Sequence, residues 1–166
     1  MTRLLALTIA AVLGAAPAAT AQQHPGFSGT WKLNTEKSDA PGQFGGGPGA
    51  QAARQNLVVT IVQSADSLVI TQTVGGQGRT IVQYFDGKPH TGPGARGGEM
   101  TSTSRWDGGA LVSEGSMNMD TPRGAMAVTF KETRTLSADG KTMTVVSTTE
   151  TPRGERTRKT VFDKQT

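Results

Sequence analysis

The sequence predicts an all-β protein, an antiparallel up-and-down meander of about nine strands that closes into a small barrel or forms an open curved sheet or a sandwich. Three observations lead to this fold class. Apolar and polar residues alternate with a period of two along most of the chain, as in half-buried strands. Turn signals rich in Gly, Pro and Asp separate these stretches. No long helical periodicity follows residue 21.

The composition is that of one small domain. The chain has 166 residues, including 22 glycines and 8 prolines, which suits short strands joined by tight turns. Cysteine is absent and only two histidines are present, so thiolate chemistry is excluded and we expect no metal site, no cofactor and no enzyme activity. The charges are scattered and form no basic helix, so we expect no nucleic-acid partner.

Residues 1–21 are predicted to be a signal peptide. Arg3 supplies the positive charge, an apolar run follows, and Ala19-Thr20-Ala21 is a small-residue cleavage site. We therefore expect cleavage between Ala21 and Gln22 and an exported protein, periplasmic or secreted. The mature chain, residues 22–166, should be a monomeric β domain without a transmembrane segment.

The first predicted strand covers residues 27–34. Phe27, Gly29, Trp31 and Leu33 fall on one face of an extended chain, and polar residues fall on the other. We expect Trp31 to be buried. Gly29 lacks a Cβ atom and should let another backbone or an indole ring lie close to the strand.

A loop and a series of hairpins follow. Residues 35–55 contain a run of Gly and Pro with almost nothing to bury, and we expect a flexible loop. Residues 89–98 are predicted to form a second long loop. The remaining strands are predicted at 57–62, 68–74, 79–85, 100–106, 110–117, 125–136, 141–150 and 155–164.

The order Phe-x-Gly-Thr-Trp-x-Leu at residues 27–33 resembles the opening strand of the lipocalin and fatty-acid-binding-protein superfamily, whose tryptophan closes one end of a small barrel. The resemblance implies a lipocalin-like, calycin-type barrel. Fatty-acid-binding proteins end in a pattern similar to Arg-x-Tyr-Glu-Lys, whose Arg and Tyr hold the ligand carboxylate. Thr160 and Phe162 occupy those two positions here. Arg158, on the same strand face, has three candidate roles: replacing the lost cation, covering Trp31, or pairing with an acid at the surface.

Two function classes follow from this reading. The first is a small non-enzymatic binding protein that holds an apolar or amphipathic molecule inside the barrel. Its candidate ligand-binding residues are Trp31, Trp106, Arg158 and Phe162. The second is a cell-envelope module with a core filled by side chains, which binds a partner through its loops.

Strand parity assigns the loops to the two ends of a nine-stranded barrel. Arg96, Arg123 and Arg153 should meet at one rim, where they either contact an anionic envelope component or only keep the tips of good turn sequences soluble. The 35–55 loop should lie at the opposite end and gate any cavity. That opposite end should also hold three turns, at residues 75–78, 107–109 and 137–140.

Overall fold

The fold is described from a computed structural model, in which residues 24–40, 56–74, 76–94, 98–121, 124–152 and 154–166 are described. The predicted signal peptide and residues 41–55 of the predicted flexible loop lie outside this range. The described part contains ten strands: β1 (Gly29–Asn34), β2 (Val58–Gln63), β3 (Ser67–Val74), β4 (Gln77–Tyr84), β5 (His90–Pro93), β6 (Glu99–Asp107), β7 (Ala110–Thr121), β8 (Gly124–Leu136), β9 (Thr142–Thr151) and β10 (Gly154–Lys164).

The strands form one antiparallel sheet in the order β4-β3-β2-β1-β10-β9-β8-β7-β6-β5. Except for β4 and β5, strands that follow one another in sequence are paired, and β1 pairs with β10, so the sheet curls into a nearly closed barrel. The predicted all-β meander is confirmed, and the barrel is favoured over the open sheet and the sandwich. Within the described residues, no helix is long and apolar enough to span a membrane.

The seam of the barrel lies between the two edge strands, β4 and β5, which face each other without a backbone ladder. Side chains bridge it instead. Arg79 donates from Nη2 to the carbonyl oxygen of Pro93 at 2.8 Å. The rings of Tyr84 and His90 lie 4.3 Å apart, and His90 Nε2 lies 3.0 Å from a carboxylate oxygen of Asp86.

The strand that the sequence prediction lacked is β5, which lies inside the predicted 89–98 loop. It pairs with β6, and the hydroxyl groups of Thr91 and Thr101 are 2.9 Å apart across the two strands. It was not predicted because its Gly and Pro residues are more typical of a loop than of a strand. Pro93 is tolerated because β5 is an edge strand, where a missing N–H need not break a ladder on both sides.

The extra strand reverses the direction of every later strand, so the prediction that the arginine segments lie opposite the 35–55 loop is wrong, as is the placement of the 107–109 and 137–140 turns at the same end as that loop. We call the end where β1 begins the plug end and the end where β1 finishes the loop end. The strand ends that flank all three predicted arginine segments lie at the loop end, together with those that flank the Gly-rich segment. The turns after β6 and β8 lie at the plug end. Arg96, Arg123 and Arg153 themselves lie outside the described residues.

The beginning of the predicted 35–55 loop is tied to the barrel wall. The Ser38 hydroxyl accepts a hydrogen bond from the backbone N–H of Val161 at 2.8 Å. Asp39 exchanges two hydrogen bonds with the backbone of Lys159, one through its own N–H and one through its carboxylate. These contacts cover β10 beyond the last residue of β1 and leave Val161 only 5% exposed.

Candidate functional site

An aromatic plug closes one end of the barrel, and we define it as His24, Phe27, Trp31, Phe85 and Trp106. Phe27 and Trp31 are fully buried, which confirms the predicted burial of Trp31. Its indole Nε1 donates to the carbonyl oxygen of Phe27 at 2.9 Å. Trp106 stacks on His24 with ring centroids 4.2 Å apart and also contacts Phe85 at 5.2 Å. The indole of Trp31 is therefore fully enclosed with its donor satisfied, and the other rings pack around it.

Lys164 is the cation that covers Trp31, and its ammonium group lies 5.2 Å from the centre of the ring. The suggested covering role for Arg158 is therefore taken by a residue six positions later. The close neighbour of Gly29 is the same lysine, because a Cβ atom at this position would lie 2.8 Å from Lys164 Cε. The prediction that a backbone or an indole ring lies close to Gly29 is therefore wrong.

A cavity of about 390 Å³ lies inside the barrel, beyond the plug. One part of its wall is apolar and comes mainly from β1, β2, β3, β9 and β10, where the alternating strand pattern points large aliphatic and aromatic side chains inward. The apolar wall consists of Leu33, Leu57, Val59, Ile70, Met143, Val145 and Phe162.

The rest of the wall is polar and comes mainly from β8, β9 and β10. Among the described residues, two arginines and one glutamate line this part of the wall. Buried charges are costly unless they are paired or hydrogen-bonded, which makes their presence in a small barrel a sign of function. The polar wall consists of Gln72, Glu132, Arg134, Ser147, Arg158 and Thr160.

The strand register explains why these groups converge. Five polar residues are directly opposite one another on consecutive strands from β6 to β10, and we call this row the polar belt. The hydroxyl groups of its first two members are 2.7 Å apart and fully enclosed. In chain order the belt is Ser104, Ser113, Glu132, Ser147 and Arg158.

Arg134 crosses the interior of the barrel next to the belt. Its side chain is only 7% exposed and donates from Nη2 to Glu132 Oε1 at 2.5 Å. Its Nη1 reaches Gln83 Oε1 on β4 at 3.3 Å. The Nε of Arg134 is buried without a hydrogen-bond partner among the described residues. The second oxygen of Glu132 lies 3.5 Å from the hydroxyl of Ser147.

The structure divides the four residues predicted to bind a ligand. Arg158 and Phe162 line the cavity. Trp31 and Trp106 belong to the plug and do not line it. Ser104 points inward and is 1% exposed.

Glu132 and Arg134 were missed because charged residues occupy both faces of β8, which reads as a solvated strand. A usable signal was present in the parity of the strand. Val128, Phe130 and Leu136 fall on the same face as the two charged residues. Apolar residues on both sides of a charged pair at this spacing indicate that the pair points inward.

The described residues bring together no group of three or more His, Asp or Glu side chains suited to a metal ion. The cavity wall offers apolar contact on one side, and cationic and hydroxyl hydrogen bonding on the other.

No protein-family model matches this sequence, and no curated protein matches it. Solved structures do match. The zebrafish ileal bile acid-binding protein complexed with cholic acid has 18% sequence identity and a TM-score of 0.59, over 84% of this chain and 98% of that chain. The REP1-NXSQ fatty acid transporter has 13% identity and a TM-score of 0.59, over 84% and 96%. Apo Caenorhabditis elegans lipid binding protein 8 has 15% identity and a TM-score of 0.56, over 84% and 95%.

At these identities the similarity concerns the fold. The chain has the calycin-type barrel fold of the fatty-acid-binding proteins and lipocalins, as the residues at 27–33 implied.

Proposed function

We propose that this protein is a non-enzymatic carrier that holds an amphipathic, negatively charged small molecule inside its barrel. The observation that carries this proposal is the cavity with two unlike walls. Its volume of about 390 Å³ is within the range of roughly 300–1,000 Å³ found for small-molecule sites. A barrel packed solid by its own side chains, as the envelope-module alternative requires, would have no such space.

The two walls define the chemistry of the ligand. The apolar wall suits a hydrocarbon body, and the two arginines of the polar wall suit an acidic group such as a carboxylate. The similar structures support this class, since they are named as a fatty acid transporter, a bile acid-binding protein and a lipid binding protein. The predicted signal peptide adds export to the proposal, so the carrier would act outside the cytoplasm.

Arg158 is our candidate for the residue that holds the acidic group. It is less buried than Arg134, it lines the cavity, and it lies on the same face of β10 as Thr160 and Phe162. Arg158 thus supplies the cation that the resemblance places two residues later, at Thr160.

The experiment is a pair of titrations with hexadecanoic acid and hexadecanol, read by displacement of a polarity-sensitive fluorescent probe. Arg158→Gln should weaken binding of the acid about tenfold, because it removes one charge-assisted hydrogen bond, and should leave the alcohol within about twofold. Arg105→Gln is the matched control, since Arg105 is half-exposed on the outer face and pairs with Glu114.

A cavity-filling variant tests the site independently of charge. Gln72→Trp places a large ring in the cavity wall and should abolish binding of both the acid and the alcohol. The proposal is wrong if the wild-type protein binds neither compound, or if Gln72→Trp binds both as well as wild type does.

A further inference from the structure

We propose that the cavity contains a second, latent anion subsite at Arg134 and that Glu132 occupies this subsite as a built-in competitor of the ligand. The inference rests on the proposed function and deepens it. It assigns to Glu132 the control of affinity for acidic ligands, as distinct from the anchoring role given to Arg158.

The first step is that Arg134 has the properties of an anion site. It is an interior arginine that lines the cavity, is 6% exposed as a residue, and has a buried Nε with no hydrogen-bond partner among the described residues. A buried guanidinium with an unused donor stabilises an added acceptor strongly, because the local dielectric constant is low.

The second step is that a carboxylate already occupies one donor of Arg134. Glu132 Oε1 accepts from Nη2 at 2.5 Å, and Glu132 is more exposed than Arg134, at 25% against 7% of the side chain. Both side chains line the cavity, and the glutamate already occupies the Nη2 donor of the arginine. A ligand carboxylate that binds Arg134 must either displace Glu132 or lie beside its negative charge and be repelled by it.

The third step is that Glu132 is held loosely on its other side. Its Oε2 lies 3.5 Å from the Ser147 hydroxyl, at the limit of a hydrogen bond. Arg134 is fixed from the far wall by Gln83, so it stays in place when the glutamate moves. The arrangement favours release of the glutamate over withdrawal of the arginine.

The consequence is a carrier with moderated affinity. The carboxylate of Glu132 stabilises Arg134 in the ligand-free protein, where an uncompensated buried charge would be destabilising. The same carboxylate weakens the complex with an acidic ligand, which eases release. An uncharged amphiphile does not compete for Arg134 and should be indifferent to Glu132.

The test measures dissociation constants for hexadecanoic acid and hexadecanol in four proteins. Glu132→Gln should bind the acid about tenfold more tightly than wild type. Arg134→Gln, which leaves Glu132 as a bare negative charge in the cavity, should bind it about tenfold more weakly. The double variant, Glu132→Gln with Arg134→Gln, should return to within about threefold of wild type. The alcohol should change by less than threefold throughout.

Glu114→Gln is the matched control, since Glu114 is a paired glutamate on the outer face and should change neither constant. If Glu132→Gln does not fold, the comparison of the other variants still tests the inference. It requires the double variant to bind the acid more tightly than Arg134→Gln does. Equal affinities of Arg134→Gln and the double variant, or an unchanged or weakened Glu132→Gln, would overturn this inference while leaving the carrier function intact. Absence of binding to either compound by every protein would instead overturn the carrier function, and this inference with it.

Discussion

The aromatic plug and the polar belt are neighbouring layers of one barrel, and they bury opposite kinds of group. In the plug, the only polar atom that Trp31 brings inside is hydrogen-bonded to a backbone carbonyl, and its ring is fully enclosed. In and beside the belt, Glu132 and Arg134 are charged, and one nitrogen of the arginine is left without a partner among the described residues.

The difference indicates where the barrel gains stability and where it gives stability up. Burial of aromatic rings lowers the free energy of the folded state. A buried ion pair contributes little or nothing compared with apolar residues of the same volume, because desolvation offsets the Coulomb attraction. The sequence thus places a stabilising layer next to a layer that serves binding, and substitutions in the two layers should have separable effects.

The largest expected effect is on the plug. Trp31→Ala should lower the free energy of unfolding by about 3–5 kcal/mol, because it leaves a cavity and removes the donor to Phe27. Chemical denaturation followed by far-ultraviolet circular dichroism measures it. Val62→Ala is the control, since Val62 is 61% exposed and should change stability by less than about 0.5 kcal/mol. An unchanged midpoint for Trp31→Ala would contradict the role given to the plug.

A smaller effect is expected at Gly115, where β7 packs closely against β6. A Cβ atom at Gly115 would overlap the carbonyl oxygen of Thr101 and lie 2.9 Å from Ser102 Cα. Because these are backbone atoms, Gly115→Ala should shift β6 against β7 and cost about 1–3 kcal/mol. Gly78→Ala is the matched control on another strand, since its Cβ would meet nothing within 4 Å. The close packing inferred at β6 and β7 is wrong if the two variants unfold at the same temperature.

The smallest expected effect lies in a turn at the plug end. The pKa of the Asp139 carboxyl is lowered below its ordinary value of 3.8. The largest cause is a hydrogen bond from the Ser137 hydroxyl, and the second is one from the backbone N–H of Lys141. Its contribution to stability is therefore present above pH 4 and is lost as the pH falls through the lower folded-state pKa.

Asp139→Asn should accordingly be less stable than wild type at pH 7, and the difference should disappear at strongly acidic pH. Thermal unfolding from pH 7 to pH 2 tests this. Ser137→Ala, which removes the largest cause of the shift, should reduce the same pH-dependent difference. A gap between wild type and Asp139→Asn that is constant with pH would show that the turn does not depend on the charge.

The strands were predictable because their alternation is clear, and Trp31 was predictable because it has apolar neighbours on its own face. Strand β5 was not, because four residues that include Gly92 and Pro93 carry no alternation. That one omission reversed the predicted ends of the later loops. Glu132 and Arg134 were hidden because charged residues on both faces of β8 removed the contrast that identifies an inner face. The cation over Trp31 depends on the register of β1 with β10, which sequence spacing does not give.

The most direct test of the central claim, that the two-walled cavity holds an acidic amphiphile, is a crystal structure with a brominated hexadecanoic acid. Anomalous scattering locates the bromine independently of the protein model. We expect the bromine against the apolar wall formed by Leu33, Ile70 and Phe162, and the carboxylate within hydrogen-bonding distance of Arg158. An occupied site outside the barrel or at the seam between β4 and β5, with no anomalous signal in the cavity, would contradict the claim.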